Sequence, residues 1–281
     1  MNLIFSAEEY KYLKTCEARI RSTDEALCFS EREQLLEGCE VLHDQPREYV
    51  KMLEKLLSGL SVPIADTDIF LGRPIYGALP ASVKRAANVF DPKFRMSGHM
   101  TPDYGNLLEK GLSGILDEIK NAVNQGALPY GDIFYECAIS AVSSVGSFAK
   151  RYAAEARKAA KNAGQRRKQE LLRAARALEY VPSEPAYDFF SALQSIIFIH
   201  VILSCFIGAR DFAFGRMELY LSPFYEKGLE KGEFTEHEAA LWLADAFLRI
   251  CEIGGFNSIT GRDRPLPCNA SKQYIVLGGC D

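Results

Sequence analysis

Charged and thiol side chains stand at two points where the sequence changes character. Arg210 and Asp211 directly follow the apolar segment 189–209, so the pair enters either a polar cavity or a structural ion pair. In a cavity, the planar guanidinium of Arg210 would bind both oxygens of a substrate carboxylate. Cys280 follows a Gly-Gly turn at 278–279 and could present a reactive thiol at the lip of a pocket. Whether these residues do chemistry depends on the elements that position them.

The composition is that of a soluble globular protein with a sizeable core. Of its 281 residues, 48% are hydrophobic and 25% are charged, and the formal net charge is −4. This balance does not mark the chain as a binder of nucleic acid or of an anionic membrane. The eight cysteines form no CxxC motif and no zinc spacing, and the opening MNLIFSAEEY has no basic signal region. We therefore expect a cytoplasmic protein with reduced thiols and no metal site.

One basic run interrupts this balance. Residues 150–176 carry ten Lys or Arg side chains, with Glu155 and Glu170 as the acidic residues among them. A phosphate-binding face is one interpretation. However, the run lacks interleaved aromatic residues, a glycine loop and a nucleic-acid motif, so a solvated pair of helices is the favoured one.

The apolar segment 189–209 also allows two interpretations. Its length approaches the roughly 20 apolar residues that a membrane span requires. Gln194, His200 and several serines interrupt it, and no interfacial anchor residues flank it. The segment therefore predicts a buried core helix, with His200 as a core histidine.

The sequence predicts a mainly helical chain that divides into three parts. Residues 1–60 read as a helical lead-in, residues 61–105 as an irregular connector rich in Pro and Gly, and residues 106–281 as helices with an early barrel strand near the end. A connector this long is uncommon in a compact protein and is often functional. Residues 274–277 are the predicted strand.

Local signals predict where several helices begin. Ser6 with Glu9, and Thr235 with Glu238, have the spacing of a capping box. Ser183, between two prolines, is a candidate N-cap for the apolar helix. The last helix is expected to bury one stripe of side chains: Ala240, Leu241, Ala244, Phe247, Leu248 and Cys251.

Gly111 and Gly114 lie within the helical pattern that starts near residue 106. Each weakens a helix by up to about 1 kcal/mol relative to alanine. We expect a neighbouring backbone to approach closely at these two positions.

Three stretches together resemble the N-terminal half of the glycyl radical enzymes, the family of pyruvate formate-lyase and the radical diol dehydratases. They are SGHMTPDYGNLLEKGLSGILDEI (97–119), LEYVPSEPAYDFFSALQSIIFIH (178–200) and FGRMELYLSPFYEKGLEKGEFTEHEA (214–239), and the closing VLGGCD is similar to a family strand followed by Gly-Gly. The resemblance implies α/β architecture overall: an N-terminal helical layer plus the first strands of a ten-stranded α/β barrel. Residues 1–281 would form a single N-terminal domain, with the barrel incomplete.

The chemistry implied by this resemblance is radical chemistry. A backbone glycyl radical takes a hydrogen atom from a cysteine, and the resulting thiyl radical attacks a small-molecule substrate inside the barrel. No stretch of the chain matches the glycine motif, and Cys280 lies upstream of where the thiyl cysteine belongs. The resemblance therefore implies no catalytic residue, metal or cofactor in this chain. An iron–sulfur, S-adenosylmethionine-dependent activase would act on the missing glycine.

The resemblance also implies roles for individual residues. His99 would face the substrate together with Asp103, because an imidazole with an ordinary pKa near 6.5 can contact a hydroxyl or carry a proton. The alternative is a loop histidine bonded to backbone. Arg216 and Tyr220 match a family segment that locks packing beside the barrel. In this segment, Glu218 and Leu219 replace the usual Asp and Gln.

Two hypotheses for function follow. In the first, the chain is the N-terminal part of an anaerobic glycyl radical lyase, dehydratase or acyltransferase and supplies part of the substrate cavity without its radical relay. In the second, it is a non-catalytic helical interaction module or split-enzyme subunit. The second hypothesis implies a complementary C-terminal chain or a homodimer, because unpaired strand edges favour association. An arginine in the cavity would suggest an acid as substrate, and His99 would suggest a hydroxylated one.

Overall fold

The computed structural model of the protein describes residues 5–22, 31, 34–35, 46–72, 100–127, 129–206, 213–254 and 275–276. Helices make up most of this part, as the sequence predicts. In chain order, the elements are α1 (Ala7–Ser22), α2 (Pro46–Gly59), α3 (Tyr104–Asn124), α4 (Gly131–Ala160), α5 (Gln165–Tyr180), α6 (Phe189–Val201), a π-helical turn (Ile202–Phe206), β1 (Gly215–Arg216), α7 (Met217–Glu230), α8 (Glu236–Gly254) and β2 (Ile275–Val276).

Helix α6 is the centre of the core, which confirms the prediction for the apolar segment. Nearly all of its side chains are buried, and α3, α5, α7 and α8 pack around it. Two of its buried polar residues, Gln194 and His200, have internal partners. The Gln194 amide accepts from the Leu71 N–H at 3.0 Å and donates to the Leu71 carbonyl at 2.9 Å. Among the described residues, no helix has both the length and the apolar content that crossing a membrane requires.

The basic run forms the predicted pair of helices, α4 and α5, but many of its arginines are not simply solvated. The Arg151 guanidinium donates to the carbonyls of Leu57 and Leu60, at 2.7 and 2.6 Å. Arg167 likewise donates to the carbonyls of Ala65 and Asp68. These arginines therefore tie the start of the connector to the helix pair.

A break in α3 lies at Gly111, where φ is +65°. A Cβ atom at Gly111 would lie 2.4 Å from the carbonyl carbon of Glu184, and the next two amides donate to the carbonyls of residues 182–183, each at 2.9 Å. The predicted approach of a neighbouring backbone is confirmed at Gly111. At Gly114 it is wrong, because a Cβ there would meet the Lys110 side chain of the same helix.

Two of the predicted helix starts are confirmed. Ser6 and Glu9 exchange backbone-to-side-chain hydrogen bonds, at 2.9 and 3.2 Å. Thr235 and Glu238 do the same at the start of α8. Both boxes are local in sequence, so each forms wherever its helix forms.

The N-cap predicted at Ser183 is wrong. Helix α6 starts after Asp188, whose carboxylate accepts from the Ser191 N–H at 2.7 Å while the Ser191 hydroxyl accepts from the Asp188 N–H at 3.0 Å. The physical reason is tertiary. The Ser183 carbonyl accepts from α3, so the chain crosses the break in α3 before α6 begins.

The stripe predicted for α8 is also wrong. Leu241 is buried, whereas Phe247 is 37% exposed. The Cys251 side chain lies outside the described residues. The inward face carries Asp245 and Arg249, both almost completely buried. The spacing of apolar residues cannot predict that a helix buries a charged pair on its inward face.

The two short strands are parallel. Gly215 pairs with Ile275 and Arg216 with Val276. β2 lies within the strand that the sequence predicts at residues 274–277. A parallel pair needs a crossover connection, which α7 and α8 provide.

Candidate functional site

Several predicted site residues lie outside the described part of the chain: His99, Arg210, Asp211 and Cys280. The chain segments that carry His99 and Asp211 nevertheless have described neighbours. The Ala213 N–H donates to the Met100 carbonyl at 3.0 Å, immediately before β1. The structure therefore joins the segment that follows His99 to the segment that follows Asp211, at the entrance to the first strand.

Asp103 is exposed at the start of α3. Its carboxylate accepts from the Asn106 N–H at 3.0 Å and so caps the helix. A carboxylate is favoured here because the first turn of a helix presents free N–H groups and a partial positive charge. Asp103 thus has a structural contact, and its contact with a substrate stays a prediction.

Three buried rings and one half-buried ring form a group that we call the aromatic buttress: Tyr104, His200 and Phe214, with Tyr220 half-buried. Tyr104 Oη lies 2.5 Å from His200 Nδ1, and the His200 ring stacks on Phe214 with centroids 4.0 Å apart. Burial raises the pKa of the Tyr104 hydroxyl well above its ordinary value, so this hydroxyl stays protonated in its hydrogen bond with His200. The buttress links α3 and α6 to the residue before β1.

Tyr220 completes the buttress from α7. Its hydroxyl donates to the Phe214 carbonyl at 2.7 Å, and its ring lies against Tyr104 with centroids 6.2 Å apart. Burial raises the pKa of this hydroxyl too. The geometry agrees with the packing role that the sequence predicts for Tyr220. That role beside the barrel stays a prediction.

Arg216 lies in β1, and Glu218 follows in the first turn of α7. Arg216 Nε donates to Glu218 Oε1 at 2.8 Å, and both side chains are about one-third exposed. Glu218, which departs from the family pattern, therefore still provides a carboxylate for this arginine. The other departure, Leu219, is 53% exposed.

Sequence reasoning missed Tyr104 and Phe214. Tyr104 directly follows Asp103 in the stretch GHMTPDY, and that position is the one available signal. Phe214 opens the stretch 214–239, but no residue type there predicts that the His200 ring of α6 stacks on it. In the described part of the chain, no group of His, Cys, Asp and Glu side chains could hold a metal ion.

A cleft of about 560 Å³ lies elsewhere, between α1 and the start of α5. None of the predicted site residues lines it. Among its charged lining groups, Arg166 and Arg167 pair with Glu170, while Glu9 pairs with His237, which does not line the cleft. The cleft therefore offers no comparable cluster for chemistry.

The fold belongs to a structural class in which a helical layer leads into parallel strands. Residues 73–281 match the family model described as pyruvate formate lyase-like. The chain belongs to this family.

The relatives include glycyl radical dehydratases and lyases. The chain is 30% identical over 192 residues to the probable dehydratase YbiW of Escherichia coli, covering 64% of this chain and 23% of the relative. It is 34% identical over 168 residues to the isethionate sulfite-lyase of Bilophila wadsworthia, covering 57% and 20%. The chain thus matches about a fifth to a quarter of these relatives' length.

Solved structures show the same fold over nearly the whole chain. A glycyl radical enzyme from Archaeoglobus fulgidus superposes with a TM-score of 0.72 at 18% identity, covering 97% of this chain and 44% of that one. The glycerol-bound B12-independent glycerol dehydratase from Clostridium butyricum gives 0.73 at 17% identity, covering 96% and 43%. These enzymes therefore share the fold over somewhat less than half their length.

Proposed function

We propose that this chain forms the N-terminal part of an anaerobic, cytoplasmic glycyl radical enzyme of the dehydratase or lyase type. The hydrogen bond between Ala213 and Met100 carries the proposal, since it joins the residue that follows His99 to the residue two positions after Asp211. In this proposal, residues 1–281 are one domain: a helical layer plus the first strands of an incomplete barrel.

The chain's part in the reaction is to form one wall of the substrate cavity. His99 and Asp103 would contact a substrate hydroxyl, while Arg210 beside Asp211 would bind a carboxylate or another planar anion. The aromatic buttress supports this wall from behind. A rigid wall serves radical chemistry because a carbon or sulfur radical must be kept from water and stray thiols.

The radical relay itself would come from residues outside this chain. The thiyl cysteine and the glycine that carries the radical would be encoded further along the same frame or in a complementary chain. An iron–sulfur, S-adenosylmethionine-dependent activase would generate the radical on that glycine. The chain by itself is then inactive, and its partners are the remaining part of the barrel, the activase and a small-molecule substrate.

The test starts with the DNA downstream. A continuing frame or neighbouring gene with both radical residues would be co-expressed with this chain and activated without oxygen. We expect a glycyl radical signal in electron paramagnetic resonance and turnover within a panel of diols, hydroxylated sulfonates and hydroxy acids. Turnover should fall at least about 100-fold in Arg210→Gln or His99→Gln while the radical signal persists.

Two results would contradict the proposal. One is turnover by this chain alone after treatment with an activase. The other is the absence of both radical residues downstream, which would favour the alternative, a non-catalytic helical interaction module.

A further inference from the structure

Two arginines of α5 have their guanidinium groups over aromatic rings. The Arg173 guanidinium carbon lies 4.9 Å from the centroid of Trp242, and that of Arg176 lies 5.6 Å from the centroid of Tyr187. Both arginines are exposed. Stacking of this kind fixes a guanidinium plane while its N–H edge stays available for a planar anion.

The other arginines of the basic run are already engaged. Arg157 and Arg166 pair with carboxylates, and Arg151 and Arg167 donate to backbone carbonyls. Within the described residues, Arg173 and Arg176 are therefore the arginines of this run that have neither a carboxylate nor a carbonyl partner.

Glu179, three positions after Arg176 in α5, already has another partner. Its Oε1 accepts from Arg157 Nε at 2.5 Å. This carboxylate therefore leaves the N–H edge of Arg176 for a group that comes from outside the chain.

Tyr180 and Tyr187 continue the same surface. Tyr180 is 54% exposed and Tyr187 is 39% exposed, and their rings meet edge to face with centroids 5.8 Å apart. Positions 173, 176 and 180 share one side of α5 because they are three and four residues apart. We call this set of two arginines and two tyrosines the arginine–tyrosine stripe.

The backbone that carries Tyr187 is fixed by hydrogen bonds. The Tyr187 N–H donates to the Ser191 hydroxyl at 3.0 Å in the cap of α6, and the Ala186 N–H donates to the Leu108 carbonyl at 2.9 Å. Tyrosine and arginine are the residue types that dominate binding energy at protein interfaces, and rigid side chains lose little entropy on binding.

We propose that the arginine–tyrosine stripe is a docking surface for an acidic segment of a separate protein. The proposal is independent of the proposed function. Charge complementarity supports it, because the exposed N–H edges of Arg173 and Arg176 are cationic and have no carboxylate partner among the described residues. A nucleic acid fits less well, because the other arginines of the basic run are already engaged and the stripe offers no continuous basic track for a line of phosphates.

The test uses fluorescence anisotropy with three labelled probes at low salt: a Glu-rich helical peptide that also carries leucines, the same peptide with Lys in place of Glu, and a 20-nucleotide oligo-dT strand. We expect the chain to bind the Glu-rich peptide and not the Lys peptide. The Arg173→Gln/Arg176→Gln variant should lose at least about tenfold in affinity. A matched variant, Lys161→Gln/Lys168→Gln, removes two exposed charges away from the stripe and should lose less than about threefold.

The variant Arg176→Lys separates the planar fork from charge alone. It keeps the charge and leaves the Trp242 contact intact, so it should fold like the parent, and we expect it to lose about fivefold. Equal losses of affinity in the two double variants would overturn the proposal. Unchanged affinity in both Arg176→Lys and Arg173→Gln/Arg176→Gln would overturn it too. Stronger, arginine-dependent binding of oligo-dT, or arginine-dependent self-association in sedimentation, would overturn it in favour of a nucleic acid or a second copy.

Discussion

Arg249 Nη2 lies 2.9 Å from Asp68 Oδ1, and both side chains are almost completely removed from solvent. The second Asp68 oxygen accepts from the Ala65 N–H at 2.7 Å, and Asp245 lies on the other side of the guanidinium at 3.6 Å. This cluster fixes the connector to α8. The Tyr12 hydroxyl, 3.1 Å from Asp245, joins α1 to it.

Replacing Arg249 with methionine should destabilise the protein by about 3–5 kcal/mol, because it leaves two buried carboxylates without their cation. The matched control is Arg157→Met, whose exposed pair with Glu179 contributes only about 0–1 kcal/mol. Urea unfolding followed by circular dichroism measures both. Equal losses of stability in the two variants would show that the buried cluster contributes no more than an exposed ion pair.

Gly111 and Gly126 form a natural pair for a test of backbone approach. Their φ angles are +65° and +67°, so alanine costs about 1 kcal/mol of strain at either position. At Gly126 nothing lies within 4 Å of the added Cβ, whereas at Gly111 it would meet the Glu184 backbone. Gly111→Ala should therefore cost about 1–3 kcal/mol more than Gly126→Ala in urea unfolding. Equal destabilisation by the two substitutions would show that the contact with the Glu184 backbone does not affect stability.

The hydrogen bond within the aromatic buttress should be measurable with a tyrosine-to-phenylalanine change. Tyr104→Phe removes the buried hydrogen bond to His200 Nδ1 and should cost about 1–2 kcal/mol. Tyr180→Phe, at an exposed position, should stay within about 0.5 kcal/mol. Amide hydrogen exchange at Ala213 should also rise in Tyr104→Phe, because the buttress holds the segment before β1. Unchanged exchange there would argue against this support.

The capping box of α1 predicts a pH dependence. The pKa of Glu9 is lowered from 4.5 to about 2, first by the Ser6 N–H, then by the Ser6 hydroxyl and by His237. A carboxylate whose pKa is lower in the folded than in the unfolded state stabilises the fold at pH values above its ordinary pKa. This stabilisation is lost as the pH falls through the folded-state pKa. The advantage of the parent over Glu9→Gln, no more than about 1 kcal/mol, should therefore shrink between pH 5 and pH 2.

Unfolding midpoints of the parent and Glu9→Gln at steps of half a pH unit would show this convergence. Glu8→Gln is the control, since the Glu8 carboxylate makes no hydrogen bond within the described part of the chain. A constant difference between the parent and Glu9→Gln across this range would contradict the prediction.

Features set by neighbouring residues could be predicted from the sequence. The capping boxes at Ser6 and Thr235 follow from residue types three positions apart, and the buried helix from Phe189 follows from a continuous apolar segment. Features set by distant segments could not. Ser183 lost its predicted cap role because α3 binds its carbonyl, and α8 buries Asp245 because Arg249 and Tyr12 meet it there.

The sequence by itself determined the helices, the late strand and the resemblance to glycyl radical enzymes, because each rests on residue types in a fixed order. Only the tertiary structure decided which contacts position the candidate site. The Met100–Ala213 hydrogen bond and the rings of Tyr104 and His200 join residues about a hundred positions apart. Such pairs leave no spacing pattern in the sequence, since chain folding alone brings them within hydrogen-bonding distance.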